Sequence, residues 1–257
     1  MKSISEFTEK IIMEEKEGLK YLKFAPLERF EFVKHGFILA NKDETKIDSS
    51  LIPELISIIS GISKEKFSVV IPGQVHQAQV LSLKVKMQEK IIQIEGDALL
   101  TDQDNFFLII QVADCLPVFL VDPANEIVGL AHIGWRGAVS GIAEEVIREA
   151  KEIFKAKPSN LHLFFGPSIG KCCYKISGDL AVLFDEKYLY KRGIENYLNL
   201  AHFVKDKFLK AGVKEQNFFV SGECTFCEDK RYQSYRRDKE KAGRMIAFIG
   251  KVTGRPD

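Results

Sequence analysis

The chain has 257 residues, 46% of them hydrophobic, enough to bury a substantial core and suited to one large domain. Its 37 Lys and Arg residues nearly cancel 36 Asp and Glu, so no global field points to a nucleic acid or an anionic membrane, and small molecules are the expected ligands. No apolar run reaches the roughly 20 residues that span a bilayer, and the charged start M-K-S-I-S-E-F-T-E-K lacks a signal-peptide core, which predicts a cytoplasmic protein.

The first 20 residues read as a charged, locally helical extension, and residues 21–257 as a single domain. Ser49 or Ser50 is placed to cap a helix carrying Leu51, Ile52, Leu55, Ile56 and Ile59 and ending at Gly61. Strand-like runs follow at Phe67 to Ile71, Gln77 to Val85, Phe106 to Val112, Leu116 to Val121 and Ile127 to Ala131. Several are apolar throughout, which predicts sheet buried on both faces. From Val139 to Phe154, apolar residues recur every three or four positions with Glu and Lys between them, the pattern of an amphipathic helix. Leu161 to Phe165 and Phe218 to Ser221 are further strands. A helix is expected from Ser177, and another presenting Tyr197, Ala201, Val204 and Phe208 on one face and stopping at Gly212. Strands and helices are interspersed without strict alternation, so the predicted fold is α/β, one domain with a mixed β-sheet core flanked by helices.

Three residues of metal-binding type stand where apolar strands meet turns: His76 in P-G-Q-V-H, Cys115 in V-A-D-C-L-P and His132 in L-A-H-I-G-W-R-G. They lie 39 and 17 positions apart, so only the fold can unite them. A buried thiol and two hydrogen-bonded histidines would explain the same residues. A His, Cys, His set would also suit zinc, whose catalytic sites use three protein ligands and leave a fourth position for water or substrate. Gly134 and Gly137 beside His132 permit backbone to approach a ligand closely. Arg136 stands two or three residues ahead of the amphipathic helix, where it would serve an oxyanion or form a surface ion pair. Trp135 would suit core packing.

The five cysteines, Cys115, Cys172, Cys173, Cys224 and Cys227, are odd in number and include a vicinal pair, a poor disulfide framework, so reduced thiols are expected. The C-x-x-C at Cys224 and Cys227 has the form of half a structural zinc site. No second pair lies at knuckle spacing, because Cys172 and Cys173 are adjacent, and ordinary thiols are the expectation there. The turn G-P-S-I-G-K-C-C-Y lacks the spacing of a nucleotide-triphosphate loop. In S-Y-R-R-D, Arg236 and Arg237, with Arg244 beyond, form a basic cluster suited equally to a solvated face and an anion site. His35, His162 and His202 have no evident partner.

Assembled, these motifs resemble a bacterial family: the laccase-domain proteins once called multicopper polyphenol oxidases, now described as zinc-dependent purine nucleoside phosphorylases and also known as the peptidoglycan editing factor family. The resemblance runs from about His35 to Phe248. It rests on Q-V-H-Q-A-Q-V, G-D-A-L-L-T, A-D-C-L-P-V, A-H-I-G-W-R-G, G-P-S-I-G-K-C-C-Y and S-Y-R-R-D-K-E-K-A-G-R, in the family's order. It implies that His76, Cys115 and His132 hold one catalytic zinc. It further implies an often monomeric enzyme that cleaves inosine, adenosine, guanosine or methylthioadenosine with phosphate and also deaminates adenosine. Arg136, Arg236 and Arg237 are the expected holders of anionic substrate groups. The chain departs from the pattern at H-G-F-I-L-A, where a pocket arginine is replaced near Ala40, and at Gln77, where glycine is usual.

Competing functions meet specific obstacles. Two histidines and a cysteine also form a blue-copper core, but a multicopper oxidase needs many histidines in close pairs, and the five here are scattered. The H-x-E and P-C-x-x-C signature of cytidine-type deaminases is absent. Editing of peptidoglycan precursors is also permitted by the resemblance, and a non-catalytic binding protein is the remaining alternative.

Overall fold

In the computed structural model, which describes residues 11–39, 48–84 and 90–253, the strand Phe106–Val112 is apolar at every position but Gln111. Both of its faces are covered: Leu108, Ile110 and Val112 enter one core, Phe107 and Ile109 another. This strand belongs to a seven-stranded sheet ordered Ile11–Lys16, Leu19–Phe24, Val33–Ile38, Met245–Lys251, Phe106–Val112, Ser68–Gly73 and Ile91–Glu95. Its first five strands pair antiparallel, and Ser68–Gly73 runs parallel to both of its neighbours.

A second sheet is ordered Phe218–Val220, His162–Phe165, Leu116–Asp122, Ile127–Ile133, Ala98–Thr101 and Val80–Leu83, with parallel pairing at its two edges and antiparallel pairing between them. Alternate residues of Leu116–Asp122 divide as they do in Phe106–Val112: Phe119 and Val121 face the core between the sheets, while Leu116, Val118 and Leu120 face the helices. Helix Ile142–Phe154 supplies Ile142, Val146, Ile147 and Ala150 to that outer core, and Leu200–Lys210 adds Val204 and Phe208. On the far side of the large sheet, Ile52, Ile56 and Ile59 of helix Ile52–Ser60 pack with Ile109 and Phe248. The layers are therefore helix, sheet, sheet, helices. Each large apolar side chain buried this way contributes roughly 1.5–3 kcal/mol. A three-stranded sheet of Lys175–Ile176, Glu195–Leu198 and Leu189–Arg192 completes the α/β fold.

Four expectations need correction. Residues 11–20 are not helical but belong to the antiparallel hairpin Ile11–Phe24, which turns at Glu17 and Gly18, both at positive φ; residues 1–10 of the expected extension lie outside the described residues. The helix expected from Val139 is two helices, Trp135–Val139 and Ile142–Phe154, broken where Gly141 adopts φ +88°. The first helix is capped by neither Ser49 nor Ser50. Asp48 accepts the Ser50 N–H at the head of a 3-10 turn over Ser49–Leu51, and the α-helix proper begins at Ile52. Tyr197 belongs to strand Glu195–Leu198, and the helix after it starts at Leu200 because the Asn199 side chain accepts the His202 N–H.

Candidate metal centre and cavity

His132 lies near the end of the central strand Ile127–Ile133, whose seven residues are all buried. Cys115 immediately precedes the neighbouring strand Leu116–Asp122, and His132 pairs with Pro117 across the ladder. His76 comes from the turn between Ser68–Gly73 and Val80–Leu83, in a left-handed conformation at φ +59°. The donor atoms of the three residues all lie within 4.8 Å of one another, and the two imidazoles meet edge to face with centroids 4.7 Å apart. A Cβ on Gly134 would stand 3.2 Å from the Cys115 Sγ and one on Gly137 only 2.6 Å from the Gln77 carbonyl, so the glycines after His132 let these turns close.

Asp97, fully buried, organises the cluster. Its carboxylate accepts the backbone N–H groups of His76 at 2.8 Å and Gln77 at 2.7 Å and meets the His132 Nδ1 at 3.3 Å. The His132 N–H in turn donates to the Asp97 carbonyl at 2.7 Å. A carboxylate on Nδ1 selects the tautomer that leaves Nε2 free as a metal donor. Burial lowers the His132 pKa, against the opposing pull of Asp97, which favours the neutral imidazole that metals bind. Burial, reinforced by the Asp114 charge, pushes the Cys115 thiol up to about 12, so a cation at this point is what would hold it as thiolate. Sterically and in donor type the three residues fit a tetrahedral zinc with one open position.

The cluster lies in a cavity of about 650 Å³ whose wall includes Gln74, Gln111, Trp135, Arg136, Ile169, Tyr174, Tyr235, Arg236 and Arg244. Arg136 is exposed, lies over the Trp135 ring at 4.6 Å, and is paired with no carboxylate among the described residues. It sits within the short helix Trp135–Val139 rather than ahead of the long one. Arg236 is drawn to the wall from two sides: its N–H donates to Asp114 at 2.6 Å and its guanidinium to the Lys175 carbonyl at 2.6 Å. Asp114, at φ +85°, also accepts the hydroxyls of Thr225 at 2.6 Å and Ser234 at 3.0 Å. Both of its oxygens are thus committed to holding the loops around the cavity. Burial keeps the Tyr174 phenol protonated well beyond neutral pH, so it lines the cavity as a neutral hydrogen-bond donor.

Of the residues expected to act, His76, Cys115, His132, Arg136 and Arg236 converge on this cavity and Arg237 does not. The Arg237 guanidinium is occupied by the Tyr232, Thr225 and Phe226 carbonyls and by Asp238. Ala40 lies outside the described residues. Sequence reasoning missed Asp97, although an acid between Gly96 and the buried run A-L-L-T is a signal of a buried carboxylate with a task. The unassigned histidines are structural: the His35 Nε2 accepts the Phe24 N–H at 2.9 Å, His162 meets Arg29 at 2.8 Å, and His202 lies 3.6 Å from Asp206.

Fold and site together define an α/β protein with an open His, Cys, His donor cluster at the floor of a cationic cavity. The chain belongs to the family described as multi-copper polyphenol oxidoreductase laccase, whose model matches residues 54–251. It is 36% identical over 163 residues to purine nucleoside phosphorylase YlmD of Geobacillus stearothermophilus, covering 60% of each protein. It is 32% identical over 185 residues to a purine nucleoside phosphorylase of Haemophilus influenzae, covering 68% of this chain and 71% of that one. The matched segment thus spans about three fifths of the Geobacillus relative's length. The crystal structure of YlmD from Geobacillus stearothermophilus superposes with a TM-score of 0.81 at 25% identity, covering 95% of this chain and all of that one. The Bacillus licheniformis protein YfiH gives 0.77 at 25% identity, covering 91% and 96%.

Proposed function

We propose that this chain is a zinc-dependent purine nucleoside phosphorylase acting in the cavity around His76, Cys115 and His132. The observation that carries the reading is the convergence of these three donors, from positions 39 and 17 residues apart in the chain, beside Arg136 and Arg236 in one cavity of about 650 Å³. Relatives named purine nucleoside phosphorylase support it. The donor set favours zinc over copper: neither cluster of metal-binding residues among the described ones includes His35, His162 or His202, so the five histidines do not assemble a multinuclear copper centre.

In this reading His76, Cys115 and His132 would hold the ion, which would supply a Lewis acid able to polarise an oxygen. Asp97 fixes the ring of His132 and the turn of His76. Arg136 and Arg236 bind phosphate, with Lys239 and Arg244 as further cations of the wall. Trp135, Tyr174 and Tyr235 offer flat faces to a purine. As the glycosidic bond breaks, positive charge builds on the ribosyl carbon. An anion fixed beside that carbon both stabilises the charge and forms the new C–O bond, yielding free base and ribose 1-phosphate. The same cavity would admit adenosine deamination if water attacked C6 of the purine ring instead, with the exocyclic amino group leaving as ammonia.

The test incubates zinc-loaded protein with inosine, guanosine, adenosine and methylthioadenosine while phosphate is varied. Base release that rises with phosphate and saturates is expected. Release indifferent to phosphate would replace phosphorolysis by hydrolysis, inosine formed from adenosine would add deamination, and no turnover of any nucleoside would overturn the proposal.

A further inference from the structure

Away from the three-donor cluster, Cys172, Cys173, Cys224 and Cys227 bring their sulfurs within 4.8 Å of one another. Two loops deliver them. One follows strand His162–Phe165 and carries the vicinal pair in G-P-S-I-G-K-C-C-Y; the other follows Phe218–Val220 and carries C-T-F-C. An isolated parallel bridge joins Ser168 to Cys224 and sets the loops in register, with the Thr225 N–H donating to the Ser168 carbonyl at 3.1 Å. The Cys227 Sγ lies 3.5 Å from that of Cys172 and 3.3 Å from that of Cys173.

We propose that these four cysteines bind a second, structural zinc ion. About 2.3 Å from each sulfur, a tetrahedral zinc holds its ligands about 3.8 Å apart, a separation that the present cluster brackets. A disulfide would join Cys227 to one neighbour and leave two thiols over, whereas all four sulfurs lie within 4.8 Å of one another. The backbone is arranged for thiolate. The Gly170 N–H donates to the Cys224 Sγ at 3.2 Å. A Cβ on Gly170 would stand 3.2 Å from both the Cys172 Sγ and the Cys224 Cβ, so the glycine leaves the centre clear. Arg237 donates to the Thr225 and Phe226 carbonyls at 3.2 and 3.3 Å, which clamps the C-T-F-C turn from behind and sets a positive charge against a centre of net negative charge.

The first loop forms part of the cavity wall, and the second is tied to that wall through Asp114. Ile169 and Tyr174 line the cavity, and the Thr225 hydroxyl holds Asp114, the neighbour of Cys115. The second zinc therefore staples the cavity wall and takes no part in the chemistry.

Metal analysis of protein purified under reducing conditions tests this independently of the reaction. The intact chain is expected to carry two zinc ions, Cys172→Ser/Cys227→Ser one, and Cys115→Ala one. Should the double variant not fold, cobalt(II) titration of Cys115→Ala replaces it: one ion is expected, with the intense thiolate-to-cobalt absorption of a four-sulfur site. Zinc content unchanged in the double variant, or cobalt binding to Cys115→Ala without thiolate absorption, would overturn the proposal. Neither result bears on nucleoside turnover, and a catalytically inert protein with two zinc ions would still sustain it.

Discussion

Asp97 accepts two backbone N–H groups from the His76 turn and meets His132 from behind, so one buried carboxylate positions two of the three donors. Its removal leaves the ligands in place but loosens their aim. Asp97→Ala is expected to weaken zinc binding at this centre about 10–100-fold, read by competition with a chromophoric chelator. Unchanged affinity would reduce Asp97 to a packing residue. Arg136 makes a contrasting prediction. Without a carboxylate partner, its charge is available to substrate, and a charge-assisted hydrogen bond of about 1.5–3 kcal/mol lost in Arg136→Ala would raise the KM for phosphate roughly tenfold or more. The KM for nucleoside should move less. Equal phosphate affinity in variant and wild type would remove Arg136 from the anion site.

The strands were legible wherever two-sided burial made them apolar, and Phe106–Val112 has the bounds that its composition predicts. The hairpin of residues 11–24 was not, because Ile11–Lys16 lies at the sheet edge and exposes most of its side chains, so its charged residues resemble those of a solvated helix. Periodicity also ran through the break at Ser140 and Gly141, since Val139 falls in phase with the helix that follows while standing on a different one. That break rests on a left-handed residue with room for a Cβ but not the conformation for one. Gly141→Ala is therefore expected to cost about 1 kcal/mol, seen as a lowered urea midpoint with an unchanged slope. A midpoint at or above that of the wild type would mean that the two helices readily merge.

At the scale of the whole molecule, the three donor residues were legible as types and not as a set, because residues 76, 115 and 132 meet only through the strand order of the second sheet and the turn leading into it. The four-cysteine cluster was hidden for the same reason: adjacent Cys172 and Cys173 do not resemble half a knuckle until a parallel bridge lays them against Cys224 and Cys227. The two-sheet core also stores a pH dependence. His35 is buried beside Phe24 and Phe119, and burial, aided by Lys23 and Lys34, lowers its pKa from the ordinary 6.5 to about 3. The unfolded chain thus binds a proton below pH 6.5 that the folded chain refuses, so stability is fully present above that pH and falls as the pH drops toward 3. At pH 4.5 the loss from this residue is about 2–3 kcal/mol. His35→Gln, which can still accept the Phe24 N–H, should lose less stability than the wild type between pH 7 and 4.5 in urea unfolding. Parallel losses in the two proteins would place the acid sensitivity elsewhere.

The central claim, phosphorolysis at the His76, Cys115 and His132 centre, meets its most direct test in phosphorus NMR of inosine and phosphate incubated with zinc-loaded protein and with Cys115→Ala. The account predicts that ribose 1-phosphate accumulates one for one with hypoxanthine in the first sample and is absent from the second. Hypoxanthine without ribose 1-phosphate, or equal yields from both proteins, would contradict it.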